Sequence, residues 1–135
     1  MSISKHLVVN RMDGPEDSDS GQIKNPTWER IETAIRRLDG ERCTLLILGV
    51  GDPVPHMGIG GGEDGKYIVY ATPDNMSFHT LVNPSAPPGK CMLTAGGQAG
   101  DYDLKRCVSL REVLLAAKTY AETGQTDAGL TWESS

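Results

Sequence analysis

Met57-Gly58-Ile59-Gly60-Gly61-Gly62-Glu63-Asp64-Gly65-Lys66-Tyr67-Ile68-Val69-Tyr70-Ala71 admits two incompatible readings, and choosing between them decides the fold. Gly60 to Lys66 has the spacing of a phosphate-binding G-x-x-x-x-G-K loop, and Gly60, Gly62 and Gly65 also satisfy G-x-G-x-x-G. Either motif requires a helix to follow, because the phosphate sits against the free N–H groups at a helix N-terminus. Residues 67–70 are instead β-branched and aromatic, which is strand chemistry. No Ser or Thr follows the lysine to hold magnesium, and Glu63 and Asp64 would repel the anion. The stretch therefore reads as two strands, 57–59 and 66–71, joined by a hairpin whose glycines supply positive φ. Binding of ATP or a dinucleotide is not expected.

Working upstream, Cys43-Thr44-Leu45-Leu46-Ile47-Leu48 carries apolar residues on both faces, so it belongs in the sheet interior rather than at an edge. Before it, Trp28, Ile31, Ile35 and Leu38 recur at helical spacing, with Asn25 expected as the cap, Pro26 as the first helical residue and Asp39-Gly40 as the stop. His6 to Asn10 reads as a short opening strand, and the acidic, turn-rich stretch from Met12 to Gly21 as a surface loop.

Downstream, residues 78–82 and 91–95 read as strands, separated by Asn83-Pro84-Ser85-Ala86-Pro87-Pro88-Gly89, which neither a helix nor a central strand tolerates. Gly96-Gly97-Gln98-Ala99-Gly100 reads as a glycine bulge or turn. Ser109-Leu110-Arg111-Glu112 is a capping box that opens a second helix, with Leu110, Val113, Leu114, Ala117 and Ala121 on one face and Gly124 ending it. Residues 130–133 alternate and close the chain as a strand. Five or six strands and two helices out of strict β-α-β order indicate an α+β fold, a mainly antiparallel sheet with both helices packed on one face. At 135 residues, the chain has material for one hydrophobic core, and residues 1–135 are expected to form one domain.

Eighteen acidic residues against 13 basic ones give a formal charge of −5, the wrong sign for gripping a phosphate backbone; no nucleic acid is expected as partner. The apolar run at Leu7-Val8-Val9 is far too short for a secretion signal or a membrane span, so the expected location is the cytoplasm, away from a membrane. Cys43, Cys91 and Cys107 are odd in number and lack C-x-x-C spacing, so all three are expected as free thiols. His6, His56 and His79 do not pair with them at structural-zinc spacing, so no metal is expected, nor any cofactor. Cys43 and Cys91 lie within apolar strands where a thiol is inert, and Cys107, expected to be the least buried of the three, is not nominated as catalytic either. Trp28 and Trp132 fit core packing.

The helix ending in Leu38-Asp39-Gly40, the Met57 to Val69 hairpin, Gly96-Gly97-Gln98, the Leu110 to Gly124 helix and Leu130-Thr131-Trp132-Glu133 occur in an order that resembles one family. It is the immunity-protein family that accompanies deaminase-fold toxins in bacterial polymorphic toxin systems. The resemblance covers residues 25–133 and leaves 1–24 outside. It implies an α+β fold without enzymatic activity whose partner is a cognate protein toxin, bound and neutralised in the cytoplasm.

For that partner the sequence offers loops and hairpin tips. Asp13, Glu16, Asp17 and Asp19 form an acidic loop suited to steering a basic protein, and Glu63, Asp64, Asp101 and Tyr102 are expected at exposed tips. Two rival classes stay open: a small ligand-binding module or enzyme built on the glycine loops, and an interaction protein that pairs with itself through a strand edge.

Overall fold

A computed structural model of the protein describes residues 6–11, 22–24, 27–38, 43–49, 55–62, 65–74, 76–95 and 98–134. Alternation of side chains along each strand sets the architecture. On β5 (Lys66–Thr72), Tyr67, Val69 and Ala71 are buried while Ile68 and Tyr70 are half-buried on the opposite face. The antiparallel register with β4 (His56–Gly61) sets Ile59 beside Val69 and Met57 beside Ala71; that with β3 (Cys43–Gly49) sets Leu46 beside Ile59 and Leu48 beside Met57. Period two therefore gathers these side chains on one face of the sheet. Each of Leu46, Leu48, Met57, Ile59 and Val69 is fully buried, which contributes about 1.5–3 kcal/mol per side chain relative to exposure.

Both helices cover that face. In α1 (Trp28–Arg36), Ile31, Ala34 and Ile35 enter the same cluster; in α2 (Leu110–Thr123), Val113, Ala116, Ala117, Tyr120 and Ala121 do so. Trp28 and Trp132 pack against the cluster, as expected of core residues. The α1 cap differs from expectation. Thr27 is the N-cap, its hydroxyl accepting from Arg30 N–H at 3.3 Å, because the helix begins at Trp28; Asn25 and Pro26 lie outside the described residues. The α2 capping box forms as read. Ser109 Oγ accepts from Glu112 N–H, Ser109 N–H donates to the Glu112 carboxylate, and Gly124 closes the helix in the left-handed region.

Among the described residues the main sheet has eight strands. Its path runs β10 (Thr131–Ser134), β6 (His79–Val82), β5, β4, β3, β1 (His6–Arg11) and β2 (Gln22–Lys24), and every pairing is antiparallel. The outer edge of β5 is shared: β9 (Val108–Ser109) pairs with its first residues and β6 with its last. A separate hairpin of β7 (Lys90–Ala95) and β8 (Gln98–Asp103) leads into a 3-10 turn, Leu104–Arg106. The fold class is the expected one. The strands the sequence missed are β2 and β9, too short to show a period, and β8, whose Gln-Ala-Gly-Asp-Tyr-Asp carries no alternating apolar residues.

The glycine hairpin between β4 and β5 forms as read, with Gly61, Gly62 and Gly65 all at positive φ and Gly62 N–H donating to the Lys66 carbonyl at 2.8 Å. Of the three cysteines, two depart from expectation: Cys91 and Cys107 form a disulfide. Fifteen residues lie between them, a spacing without a signature, and only the return of the chain through β8 sets them face to face.

Candidate functional site

The sheet face away from the helices carries the most distinctive surface, and glycine shapes it. Tyr70 lies opposite Gly58, and Ile68 opposite Gly60. With no side chain at Gly58, the Tyr70 ring lies down across β4; a Cβ built on Gly58 would stand 2.3 Å from Tyr70 Cε1. There the Tyr70 hydroxyl shares a 3.3 Å hydrogen bond with His56 Nε2, and its ring meets those of His56 edge-on and Phe78 at a tilt, with centroids 5.7 and 5.8 Å away. Burial pushes the Tyr70 hydroxyl pKa upward, so it stays a neutral donor and acceptor.

The β8 strand and the 3-10 turn form the other wall. Asn83 N–H donates to the Lys105 carbonyl at 2.6 Å and Leu104 N–H to the Gly89 carbonyl at 3.0 Å, tying the turn to the proline-rich connection. Lys105 Nζ reaches Glu133 Oε2 on β10 at 2.7 Å, and Arg106 Nη2 lies 3.6 Å from the other oxygen of that carboxylate. These bonds, Lys105 foremost, hold the Glu133 carboxyl below its ordinary pKa. The Cys91–Cys107 disulfide staples β7 to the residue after the turn.

Between the walls lies a cavity of about 290 Å³ lined by Ile68, Tyr70, Phe78, Thr80, Tyr102 and Arg106. Its rings and aliphatic carbons supply apolar area, while Arg106 supplies a charged donor whose Nε is buried and has no hydrogen-bond partner. A buried donor without an acceptor costs roughly 1–3 kcal/mol, so this atom needs an explanation.

Of the residues read from the sequence as partner contacts, Asp13, Glu16, Asp17, Asp19, Glu63 and Asp64 lie outside the described residues. Asp101 and Tyr102 are described, but mid-strand on β8 rather than at a tip, and alternation sends them opposite ways. Asp101 is exposed, paired with the exposed Met92, and Tyr102 turns into the cavity. Sequence pattern does not single out Tyr70, Phe78 or Arg106. The signal available was the run Met57-Gly58-Ile59-Gly60, whose alternate glycines leave one strand face bare.

Two further hollows lie among the described residues. One, of about 430 Å³, runs between α1 and α2 beside Trp28, Leu114 and the 47% exposed Leu115, with Lys118 Nζ 5.9 Å from the Trp28 ring centre. The other, of about 290 Å³, lies beside Thr72, His79 and Gln125 at the end of α2, where the buried Tyr120 hydroxyl has no partner and burial drives its pKa up to about 12. Among the described residues no three His, Cys, Asp or Glu gather as a metal set, and no helix is long and apolar enough to cross a membrane.

The family model described as Immunity protein Imm1 matches residues 19–134. The chain belongs to the Imm1 immunity-protein family. No curated protein matches it. Its partner as an Imm1 protein is a cognate toxin, and membership points to an inhibitor's role rather than a catalyst's. The matched region takes in both walls of the cavity and begins at Asp19, leaving Asp13, Glu16 and Asp17 of the acidic loop before it.

Proposed function

We propose that this Imm1 protein neutralises a deaminase-type toxin encoded beside it, in the cytoplasm of the producing cell, by forming a stoichiometric complex that covers or distorts the toxin's active site. The family match over residues 19–134 carries the reading. The charge of −5 supports it, because an enzyme that modifies nucleic acid presents a basic groove that an acidic protein complements. In this reading Asp13, Glu16, Asp17, Asp19, Glu63, Asp64 and Asp101 set the field that draws the toxin in, and Tyr102 stands at the contact. The protein itself performs no chemistry and needs no cofactor.

Co-expression tests it: cells carrying the neighbouring toxin should survive in proportion to the amount of folded inhibitor, up to one equivalent. Death despite an excess of folded protein would overturn the pairing. Loss of deamination on a nucleic-acid substrate when the purified partners are mixed separates a deaminase from other toxins. Reversing Glu16, Asp17 and Asp19 to Lys should slow association and flatten its salt dependence while leaving the melting temperature nearly unchanged.

A further inference from the structure

We propose that the cavity between β5, β6 and β8 receives a carboxylate side chain of the toxin, which pairs with Arg106 while its stem packs between Tyr70 and Tyr102. The inference rests on the toxin-binding reading and gives it a contact point. Three observations carry it. The Arg106 guanidinium is under-used: Glu133 is engaged at 2.7 Å by Lys105 and reaches Arg106 only at 3.6 Å, and Arg106 Nε is buried without an acceptor. A guanidinium offers donors alone, in a fork that matches a carboxylate, so the missing group is an acceptor and its best form is an anion. Size is the second: a volume of about 290 Å³ has room for one acidic side chain.

Charge is the third observation. The chain is acidic as a whole, yet the charged residue among those lining this cavity is Arg106, and it shares Glu133 with Lys105. Acidic residues elsewhere would steer the basic toxin, and this spot would set the register by accepting one anion. The half-buried rings of Tyr70, Phe78 and Tyr102 stand beside Arg106, whose side chain is 43% exposed in the free protein, so a bound partner would complete the shielding of the charge pair.

The test uses the full-length protein and a catalytically inactive form of the neighbouring toxin. Arg106→Gln should weaken the complex by roughly 30-fold or more, mostly through faster dissociation, with Arg106→Lys recovering part of the loss. Glu122→Lys, on the exposed side of α2, should change the affinity little. One toxin Asp or Glu, changed to Asn or Gln, should reproduce the loss and add nothing to Arg106→Gln. Hydrogen exchange on the wild-type complex, which does not depend on any variant folding, should show new protection across residues 66–72, 79–82 and 98–106. Tight binding that survives Arg106→Gln, or protection confined to the α1–α2 surface, would overturn the cavity and leave the immunity function standing. Absence of binding by the wild-type protein would overturn both.

Discussion

Replacing Gly58 with alanine puts a methyl group where the Tyr70 ring now lies. The strand backbone itself accepts alanine, since Gly58 is not among the positive-φ glycines, so the cost falls on contacts. A Cβ at 2.3 Å from Cε1, 2.4 Å from Cζ and 2.6 Å from the hydroxyl oxygen cannot coexist with the present ring position. The ring must swing off β4, giving up its hydrogen bond to His56 and its contact with Phe78. The hydrogen bond contributes about 0.5–1.5 kcal/mol and an aromatic pair about the same. The two sum to a loss of about 1–3 kcal/mol, the same range that overpacking costs in general. For a chain of 135 residues each kcal/mol corresponds to roughly 3–6 °C in melting temperature. The assay is a double-mutant cycle in urea or by calorimetry. With Tyr70→Ala already present, Gly58→Ala should be neutral or stabilising by about 0.5–1 kcal/mol, because alanine loses less backbone entropy than glycine in a strand. An equal loss in both backgrounds would refute the reasoning, for it would show that the alanine meets something other than the ring.

Tyr120→Phe should leave stability unchanged or raise it by up to about 1 kcal/mol, since the hydroxyl removed is buried and unpartnered; a loss beyond about 1 kcal/mol in urea would show that it has a partner. Reducing Cys91–Cys107, or changing both residues to Ser, should cost about 3 kcal/mol through the 16-residue separation it closes, and Cys43→Ser should lose as much on reduction as the wild-type protein does. Alkylation before and after reduction identifies the paired thiols. Stability should also decline in acid. The Thr119 hydroxyl and Gly129 N–H hold the Asp127 carboxyl below its ordinary pKa of 3.8, and Lys105 does the same for Glu133 from 4.5. A depressed folded-state pKa gives stability that is fully present above the ordinary value and lost as pH falls through the lower one. Denaturation midpoints should therefore fall from about pH 4.5 downward, and less so in Asp127→Asn; identical acid profiles would remove Asp127 from the account.

Local rules were enough for much of the fold. The capping box at Ser109 and Glu112, the left-handed stop at Gly124, the β4–β5 hairpin and the interior position of β3 each follow from a few neighbouring residues, because caps, turns and strand alternation are short-range physics. The Gly-Lys spacing at residues 60–66 was rejected as a phosphate loop on the same local grounds, and the chain there is a hairpin. Membership of an immunity-protein family, too, was legible in the order of the elements. Tertiary structure alone decided the rest. Strand β8 has no apolar period and exists because β7 supplies its hydrogen-bond partner. Cys91 meets Cys107 only after the chain has turned back through that hairpin. Tyr102 and Asp101, adjacent in sequence, part company because a strand alternates its faces. The cavity draws Tyr70, Phe78, Tyr102 and Arg106 from separate segments, and beyond the alternate glycines of β4 nothing local marks them: an aromatic ring or a guanidinium becomes a site only when distant backbone folds beside it, and that pairing is set by the core on the far side of the sheet.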